Sequence, residues 1–418
     1  RTLTATTVAP GATPITPIVG FASTVSTAEG KVTEIESVND IVNVLKLVDS
    51  DAPSLSPLGF GALLAMQNAG NQSLHVYGVS DENADAEHLA AQDALELLDT
   101  YSIGVLSSDA TSISSYSSYV TAQSLPTAKK ERIAFISNPV VWSDTKAEIV
   151  AAVQSVSSSF ANKRVANVFS DIAYVEETRH ISTLTAAFIS AIYGVGFTAR
   201  PLLTQNVTLG GIAYKRGEEI TSGMSALLVS EGKTSNGYIQ VLMPVPGYFY
   251  TAALAGSIAG KSPQQPLTNA PIVGFAKTYR TSDYFTEAQL NSMAGAGTWI
   301  MIQDVPNGAI TTRHQVSTDN TSVTKREMSI TNAVDYAAKM MRASLKPYIG
   351  RFTIDDNFIS LVFTVLTGIA LFLRRSGILR DVKITSVVQD SLNPDTVLAE
   401  VELIPLYPAN YIKITLII

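Results

Sequence analysis

Apolar and polar residues follow one another along the first part of the chain in the manner of strands that alternate with helices. The apolar run Pro17 to Ser23 predicts a strand, and apolar residues at helical spacing predict a helix after Ser37. The same pattern predicts further helices over 57–70, 87–100 and 144–160, and further strands over 74–79, 101–107 and 132–137. The helix over 144–160 is expected to start from Ser143 or Asp144 as its N-cap. Strands that alternate with helices are typical of an α/β domain.

The last third of the chain has an equally clear pattern. Helices are predicted over 286–297, 330–346 and 358–373, and strands over 298–303, 381–388 and 396–404. The apolar side of the helix over 330–346 is expected to carry Ile330, Val334, Ala338, Met341 and Leu345. Between 198 and 270 the pattern is weak, and short strands with glycine-rich turns are indicated.

Both ends of the chain depart from this pattern. Residues 1–17 are rich in Thr, Ala and Pro and predict an extended arm, whose Thr2, Leu3, Thr4, Ala5 and Thr6 are expected to touch a neighbouring subunit. At the other end, Ile412, Ile414, Leu416 and Ile418 alternate with Tyr411, Lys413, Thr415 and Ile417, which predicts a strand.

Pro405 and Pro408 separate this last strand from the strand before it. Two interpretations stay open. The strand either folds back on its own domain as an edge strand or is donated to a neighbouring subunit. An unpaired apolar strand is an aggregation hazard, which favours a dedicated acceptor.

Composition narrows the classes of function. Apolar residues make up 46% of the chain and charged residues only 16%, so the surface is rich in neutral polar groups, as suits a subunit that neighbours cover. The net charge is −7 and no basic stripe occurs, which argues against a direct grip on nucleic acid. The chain has no cysteine, so disulfides and thiolate metal sites are excluded.

Candidate chemistry is sparse. The four histidines, His75, His88, His180 and His314, lack metal-ligand spacing. His314 lies near Ser317 and Asp319, yet groups this close in sequence seldom form a catalytic triad. No phosphate-binding loop or nucleophile elbow is present. We therefore predict no catalytic, cofactor or metal residue, and we interpret the uncharged run 358–373 as a core helix because a membrane span needs about 20 apolar residues.

The order of these motifs resembles the contractile tail sheath family of bacteriophages. The resemblance rests on PIVGFAS at 17–23, GFGALLAMQNAGNQSLHVYGV at 59–79, the segments 286–303 and 326–350, and VELIPLYPANYIKITLII at 401–418. It implies an α/β and α+β multidomain subunit with an outer α/β domain over 18–275, of which 198–270 is weakly assigned. An inner C-terminal α+β domain over 276–404 follows, with an N-terminal arm over 1–17 and a donated strand over 405–418.

The resemblance also implies a function. Family members stack as hexameric discs around a tail tube and contract to drive that tube through the host envelope. The implied partners are other copies of the chain, the tail tube protein, and baseplate and tail terminator proteins. The implied location is the virion tail, assembled in the host cytoplasm, with no cofactor, direct nucleic-acid contact or membrane insertion. The sheath of an R-type bacteriocin or of an extracellular contractile injection system is the alternative, and a hydrolase is a weaker one.

Overall fold

A computed structural model of the chain describes residues 16–21, 30–44, 46–47, 54–70, 72–80, 85–137, 145–193, 197, 199–278 and 284–410. The helices within these ranges are α1 Val38–Val44, α2 Pro57–Asn68, α3 Asp85–Glu96, α4 Ala110–Gln123, α5 Lys146–Phe160, α6 Ala186–Tyr193, α7 Ser222–Ser230, α8 Phe249–Ala259, α9 Glu287–Gly295, α10 Val323–Arg326, α11 Met328–Leu345 and α12 Asp356–Arg375. The strands are β1 Thr16–Phe21, β2 Val32–Ile35, β3 Lys46–Leu47, β4 Ser54–Leu55, β5 Leu74–Val79, β6 Ser102–Leu106, β7 Ile133–Ser137, β8 Val165–Phe169, β9 Ile172–His180, β10 Leu202–Leu203, β11 Val207–Leu209, β12 Ile212–Tyr214, β13 Tyr238–Pro246, β14 Pro271–Ile272, β15 Lys277–Thr278, β16 Thr298–Ile302, β17 Ile310–Thr312, β18 Leu379–Gln389 and β19 Val397–Pro405.

One mixed sheet organises the larger part of the molecule. Among the described residues it has nine strands in the order β14-β17-β16-β8-β7-β6-β1-β5-β2. Its centre, from β16 to β5, is parallel, and β2, β17 and β14 add antiparallel strands at the edges. The residues of β6, β7, β8 and β16 are buried throughout, as expected where helices cover both faces of a parallel sheet. The α/β prediction is confirmed for this unit.

The weakly patterned middle contributes more to the core than we expected. β13 pairs with β9 along nine residues, and α8 is almost completely buried against α2. The short strands that were expected over 198–270 are present as β10, β11 and β12, but the expectation missed α7, β13 and α8. α8 is apolar on all sides, so it has no helical period from which to predict it. Gly256 makes its contact with α2 possible, because a Cβ there would lie 2.1 Å from the carbonyl oxygen of Ala65.

The predicted boundary after residue 275 falls inside the sheet. β14 precedes that boundary, while β16 and β17 follow it, and all three are strands of the same sheet. The pattern predicted β16 over 298–303 but neither β14 nor β17, and sheet order depends on contacts between distant segments. We use the name α/β unit for the sheet and its helices, and the name C-terminal unit for residues 328–405.

The start of α5 also differs from the expectation. Thr145 is the N-cap, in place of Ser143 or Asp144. Its hydroxyl accepts from the amide of Glu148 at 3.4 Å, and the Glu148 carboxylate accepts from the amide of Thr145 at 2.8 Å. This reciprocal capping box requires a glutamate three residues after the N-cap. Of Ser143, Asp144 and Thr145, only Thr145 has a glutamate at that distance, Glu148.

The C-terminal unit consists of two helices and a hairpin. α12 starts at the N-cap Asp355, and its buried side, which includes Leu366 and Leu373, packs with α11 and with the hairpin of β18 and β19. α12 is long and apolar enough by composition to cross a membrane. Its packing in this unit fits the interpretation as a core helix.

Candidate functional site

Helix α11 connects the two units and presents a different face to each. Ala333, Ala337 and Met341 belong to the apolar cluster that α11 forms with α12 and the hairpin. Asp335, Lys339 and Arg342 follow each other at helical spacings of four and three residues, and all three pair with the α/β unit. The contact between the units at α11 is thus built from charged groups, and we call it the polar junction.

Asp335 makes the most buried pair of the polar junction. Its two carboxylate oxygens accept from both terminal nitrogens of Arg164, at 2.6 and 2.9 Å. The Tyr101 hydroxyl approaches Asn332 Oδ1 at 2.8 Å and Asp335 Oδ2 at 3.0 Å. Burial, together with the Asp335 carboxylate, raises the pKa of Tyr101 well above its usual value. The Tyr101 phenol is therefore a neutral hydrogen-bond donor. The ion pair between Arg164 and Asp335 is bidentate and shielded from water.

The remaining two pairs of the polar junction differ in exposure. Arg342 pairs with the buried carboxylate of Glu131. Lys339 lies 2.8 Å from Asp99, a side chain that is 86% exposed. An ion pair as exposed as that of Lys339 and Asp99 contributes at most about 1 kcal/mol to the free energy of unfolding. The stability of the junction therefore depends mainly on Asp335 and, less strongly, on Arg342.

After β19 the chain returns to the α/β unit. Asn410 accepts through Oδ1 from the hydroxyl of Thr268 at 3.0 Å, in the loop before β14. Glu327, the residue before α11, is fully buried, with its Oε1 3.0 Å from Nε2 of His314. Burial works to raise the pKa of Glu327, but hydrogen bonds from His314, Asn410 and Arg326 outweigh it and lower that pKa. The carboxylate of Glu327 therefore lies at the place where the chain returns to the α/β unit.

The residues that the sequence singled out fall into two groups. The first group is the residues of the two predicted arms, which lie outside the described residues, so both arms stay predictions. They are Tyr411, Ile412, Lys413, Ile414, Thr415, Leu416, Ile417 and Ile418 at one end and Thr2, Leu3, Thr4, Ala5 and Thr6 at the other. The structure does describe residues near both arms. β1 begins at Thr16 between β6 and β5, so the last two residues of the arm predicted over 1–17 belong to the sheet, and Asn410 contacts the α/β unit.

The candidate catalytic residues have structural contacts. His314 faces Glu327, the Ser317 hydroxyl donates to the carbonyl of Lys325 at 2.8 Å, and the Asp319 carboxylate accepts from Thr321. His88 lies 3.2 Å from the Tyr116 hydroxyl, and His180 caps a short 3-10 helix. In the described part of the chain, no group of three or more His, Asp or Glu side chains is arranged to hold a metal ion.

Sequence reasoning missed the polar junction. The only signal in the sequence is the spacing of Asp335, Lys339 and Arg342 on one side of a helix otherwise judged by its apolar residues. That spacing is equally typical of a solvated face.

Comparisons with known proteins agree with the resemblance seen in the sequence. No protein-family model matches the chain. A tail sheath protein of Mycobacterium phage Bxz1 is 29% identical over 173 residues, which is 40% of this chain and 28% of that relative. The match therefore spans less than a third of the relative's length.

Solved structures cover nearly the whole chain. The helical sheath of the anti-feeding prophage in its contracted state has a TM-score of 0.64 at 14% identity, over 99% of this chain and 95% of that one. The contracted PVC sheath complex of an extracellular contractile injection system has a TM-score of 0.63 at 9% identity, over 100% and 95%. A sheath tail protein of Desulfitobacterium hafniense has a TM-score of 0.58 at 10% identity, over 97% and 100%. The chain has the fold of contractile sheath proteins, and the resemblance is confirmed.

Proposed function

We propose that this chain is the sheath subunit of a contractile tail, most simply a bacteriophage tail, which polymerises around an inner tube and contracts to drive that tube through an envelope. The matches to a phage tail sheath protein and to sheaths of two other contractile systems support this role. Its partners would be further copies of the chain in hexameric discs, a tail tube protein, and baseplate and terminator proteins. It would belong to the virion and assemble in the host cytoplasm.

The observation that carries the proposal is the incomplete sheet of the C-terminal unit. β18 has eleven residues and β19 has nine. Among the described residues these two strands pair only with each other. A two-stranded hairpin has little stability of its own and two free edges. Residues 411–418 have the length and alternation of a strand that could complete such a sheet in a neighbouring subunit.

The two edges of the hairpin are not equivalent. The register shifts between Leu379 and Asp381 and between Ile384 and Ser386 place two bulges in β18, while β19 runs without an extra residue. Bulges bend a strand and hinder further pairing, so the edge of β19 is the better acceptor. Its solvent side carries the exposed Glu400, which complements Lys413, the single charged side chain of residues 411–418. We therefore place the donated strand beside β19.

A charge exchange tests this placement. Glu400→Lys and Lys413→Glu should each raise the concentration needed for assembly roughly two- to tenfold, because a cross-strand ion pair is replaced by like charges. The two changes together should restore assembly. Asp395→Lys, in the turn of the same hairpin and away from the β19 edge, is the matched control. Assembly thresholds that are unchanged in both single variants would contradict pairing at β19.

The arrangement of the units around the tube is part of the same proposal. We place the C-terminal unit on the tube side and residues 204–237, which form the small β11–β12 hairpin and α7, on the outer surface. That segment projects many exposed side chains, as a surface free of neighbours would.

Electron microscopy of the purified chain tests the function itself. Negative staining at increasing concentration should show hollow tubes of uniform diameter with a regular axial repeat, because sheath subunits need only one another to form the lattice. A chain that stays monomeric or forms amorphous aggregate at every concentration would contradict the proposal. Particles labelled with an antibody against the chain then separate the alternatives: a DNA-filled head indicates a phage tail, and a headless particle indicates a bacteriocin or an injection system.

A further inference from the structure

The two ends of the C-terminal unit meet at one place on the α/β unit. Glu327 immediately precedes α11, and Asn410 follows β19 by five residues. The side chain of Asn410 accepts from the Thr268 hydroxyl, which in turn accepts from the amide of Gln315, the residue next to the His314 that faces Glu327. A ring is thereby closed: the chain leaves the α/β unit at Glu327, forms the whole C-terminal unit, and returns to the same point.

The residues of the α/β unit near Asn410 are themselves held by hydrogen bonds. Oε1 of Glu327 lies 3.0 Å from Nε2 of His314 and 3.1 Å from Nε of Arg326. The Thr268 hydroxyl also receives the amide of Gln315 at 3.4 Å, and the Gln315 side chain in turn accepts from the amide of Leu267 at 2.7 Å. These residues are anchored in the α/β unit, so a group bonded to them is fixed relative to the sheet.

The segment 406–410, which we call the strap, has few other means of staying in place. Leu406 and Tyr407 are 42% and 57% exposed. Pro408 restricts the backbone, and the Asn410 amide turns back to the Pro408 carbonyl at 3.1 Å. The hydrogen bond that the Asn410 side chain accepts from Thr268 is therefore the main attachment of the strap to the α/β unit.

We infer that Asn410 is a positioning residue that fixes where the C-terminal arm leaves the subunit. With Asn410 held, Ile418 can lie at most about 26–29 Å from it, because eight residues separate them. With Asn410 released, Ile418 can lie at most about 43–47 Å from Pro405, thirteen residues away. A longer, undirected arm has more conformations to lose when it is ordered on an acceptor. The clamp thus pre-orders the arm toward one neighbour.

The contact itself is tested in the monomer, below the assembly threshold. Thr268→Val keeps the shape of the side chain and removes the donor, whereas Thr268→Ser keeps the donor and is the matched control. Chymotrypsin cleavage after Leu406, followed by mass spectrometry, should be roughly tenfold faster for Thr268→Val and for Asn410→Ala than for the wild type, because cleavage requires the strap to detach. Thr268→Ser should match the wild type. The double variant should be no faster than either single variant. Wild-type cleavage rates in Thr268→Val and Asn410→Ala would overturn the clamp.

The positioning role is tested by assembly, and this part rests on the proposed function. Both clamp variants should need a roughly three- to tenfold higher concentration to form tubes, with unchanged thermal unfolding of the monomer. Fast cleavage with normal assembly would overturn the positioning role while the clamp contact stands. A wild-type chain that forms no tubes would remove the proposed function and the positioning role, whereas the cleavage result would still decide the contact.

Discussion

Removal of residues 411–418 should abolish tube formation and leave a folded, soluble monomer. An added strand of eight residues makes roughly six main-chain hydrogen bonds, each contributing about 0.5–1.5 kcal/mol net. Burial of its apolar side adds about 25 cal/mol for each Å² removed from water. The described elements form without this strand, because the nine-stranded sheet, the polar junction and the C-terminal unit all lie within residues 16–410. Circular dichroism and sedimentation measure the monomer, and negative-stain microscopy measures the tubes.

A pair of point variants separates the two faces of the arm. Ile414→Asp places an unpaired charge on the face predicted to be buried and should prevent assembly. Thr415→Asp introduces the same charge one residue later, on the face predicted to be exposed, and should leave assembly largely intact. Normal tubes from the truncated chain, or its failure to fold, would contradict donation of the strand to a neighbour.

Asp335→Asn should be the most destabilising single change at the polar junction, by about 3–5 kcal/mol. The variant keeps the shape of the side chain but leaves the buried guanidinium of Arg164 without its counter-charge. Lys339→Ala, which removes the pair with the exposed Asp99, is the matched control and should cost at most about 1 kcal/mol. Urea unfolding of the monomer, followed by circular dichroism, measures both.

A second variant distinguishes an unpaired charge from a lost contact. Arg164→Met combined with Asp335→Leu removes both charges and should be less destabilising than Asp335→Asn, because no buried charge is left unpaired. A cost below about 1 kcal/mol for Asp335→Asn would mean that water or another group satisfies Arg164, and that the junction is looser than its geometry indicates.

The elements that the sequence predicted best are those whose pattern is local. The strand over 74–79 coincides with β5, and the predicted helix over 330–346 matches α11 to within two residues at its start. The buried face of α11 was only partly right: Ile330 and Met341 are buried, but Val334 and Ala338 are half-buried. The prediction of the buried face used only the apolar residues of α11. It therefore missed the polar contacts of Asn332 and Asp335, which hold α11 against the α/β unit.

The candidate site was beyond prediction for a physical reason. Arg164 and Asp335 are 171 positions apart, and Thr268 and Asn410 are 142 apart. Each residue alone is typical of a solvated surface, and only the fold brings the partners together. The end of the chain was informative because a strand pattern is local, although the partner that we propose for it is another molecule.

The polar junction has a mechanical consequence. α11 has 18 residues and is therefore about 27 Å long. If one end of such a lever turned by about 10° relative to the other unit, its far end would move by roughly 4.7 Å, which is a full spacing between neighbouring strands. In the proposed sheath, a subunit whose units flexed by that angle would move the β19 edge away from the strand of its neighbour. The ion pairs along α11 oppose that movement, so a rotation of the α/β unit in such an assembly would carry the hairpin with it as one body.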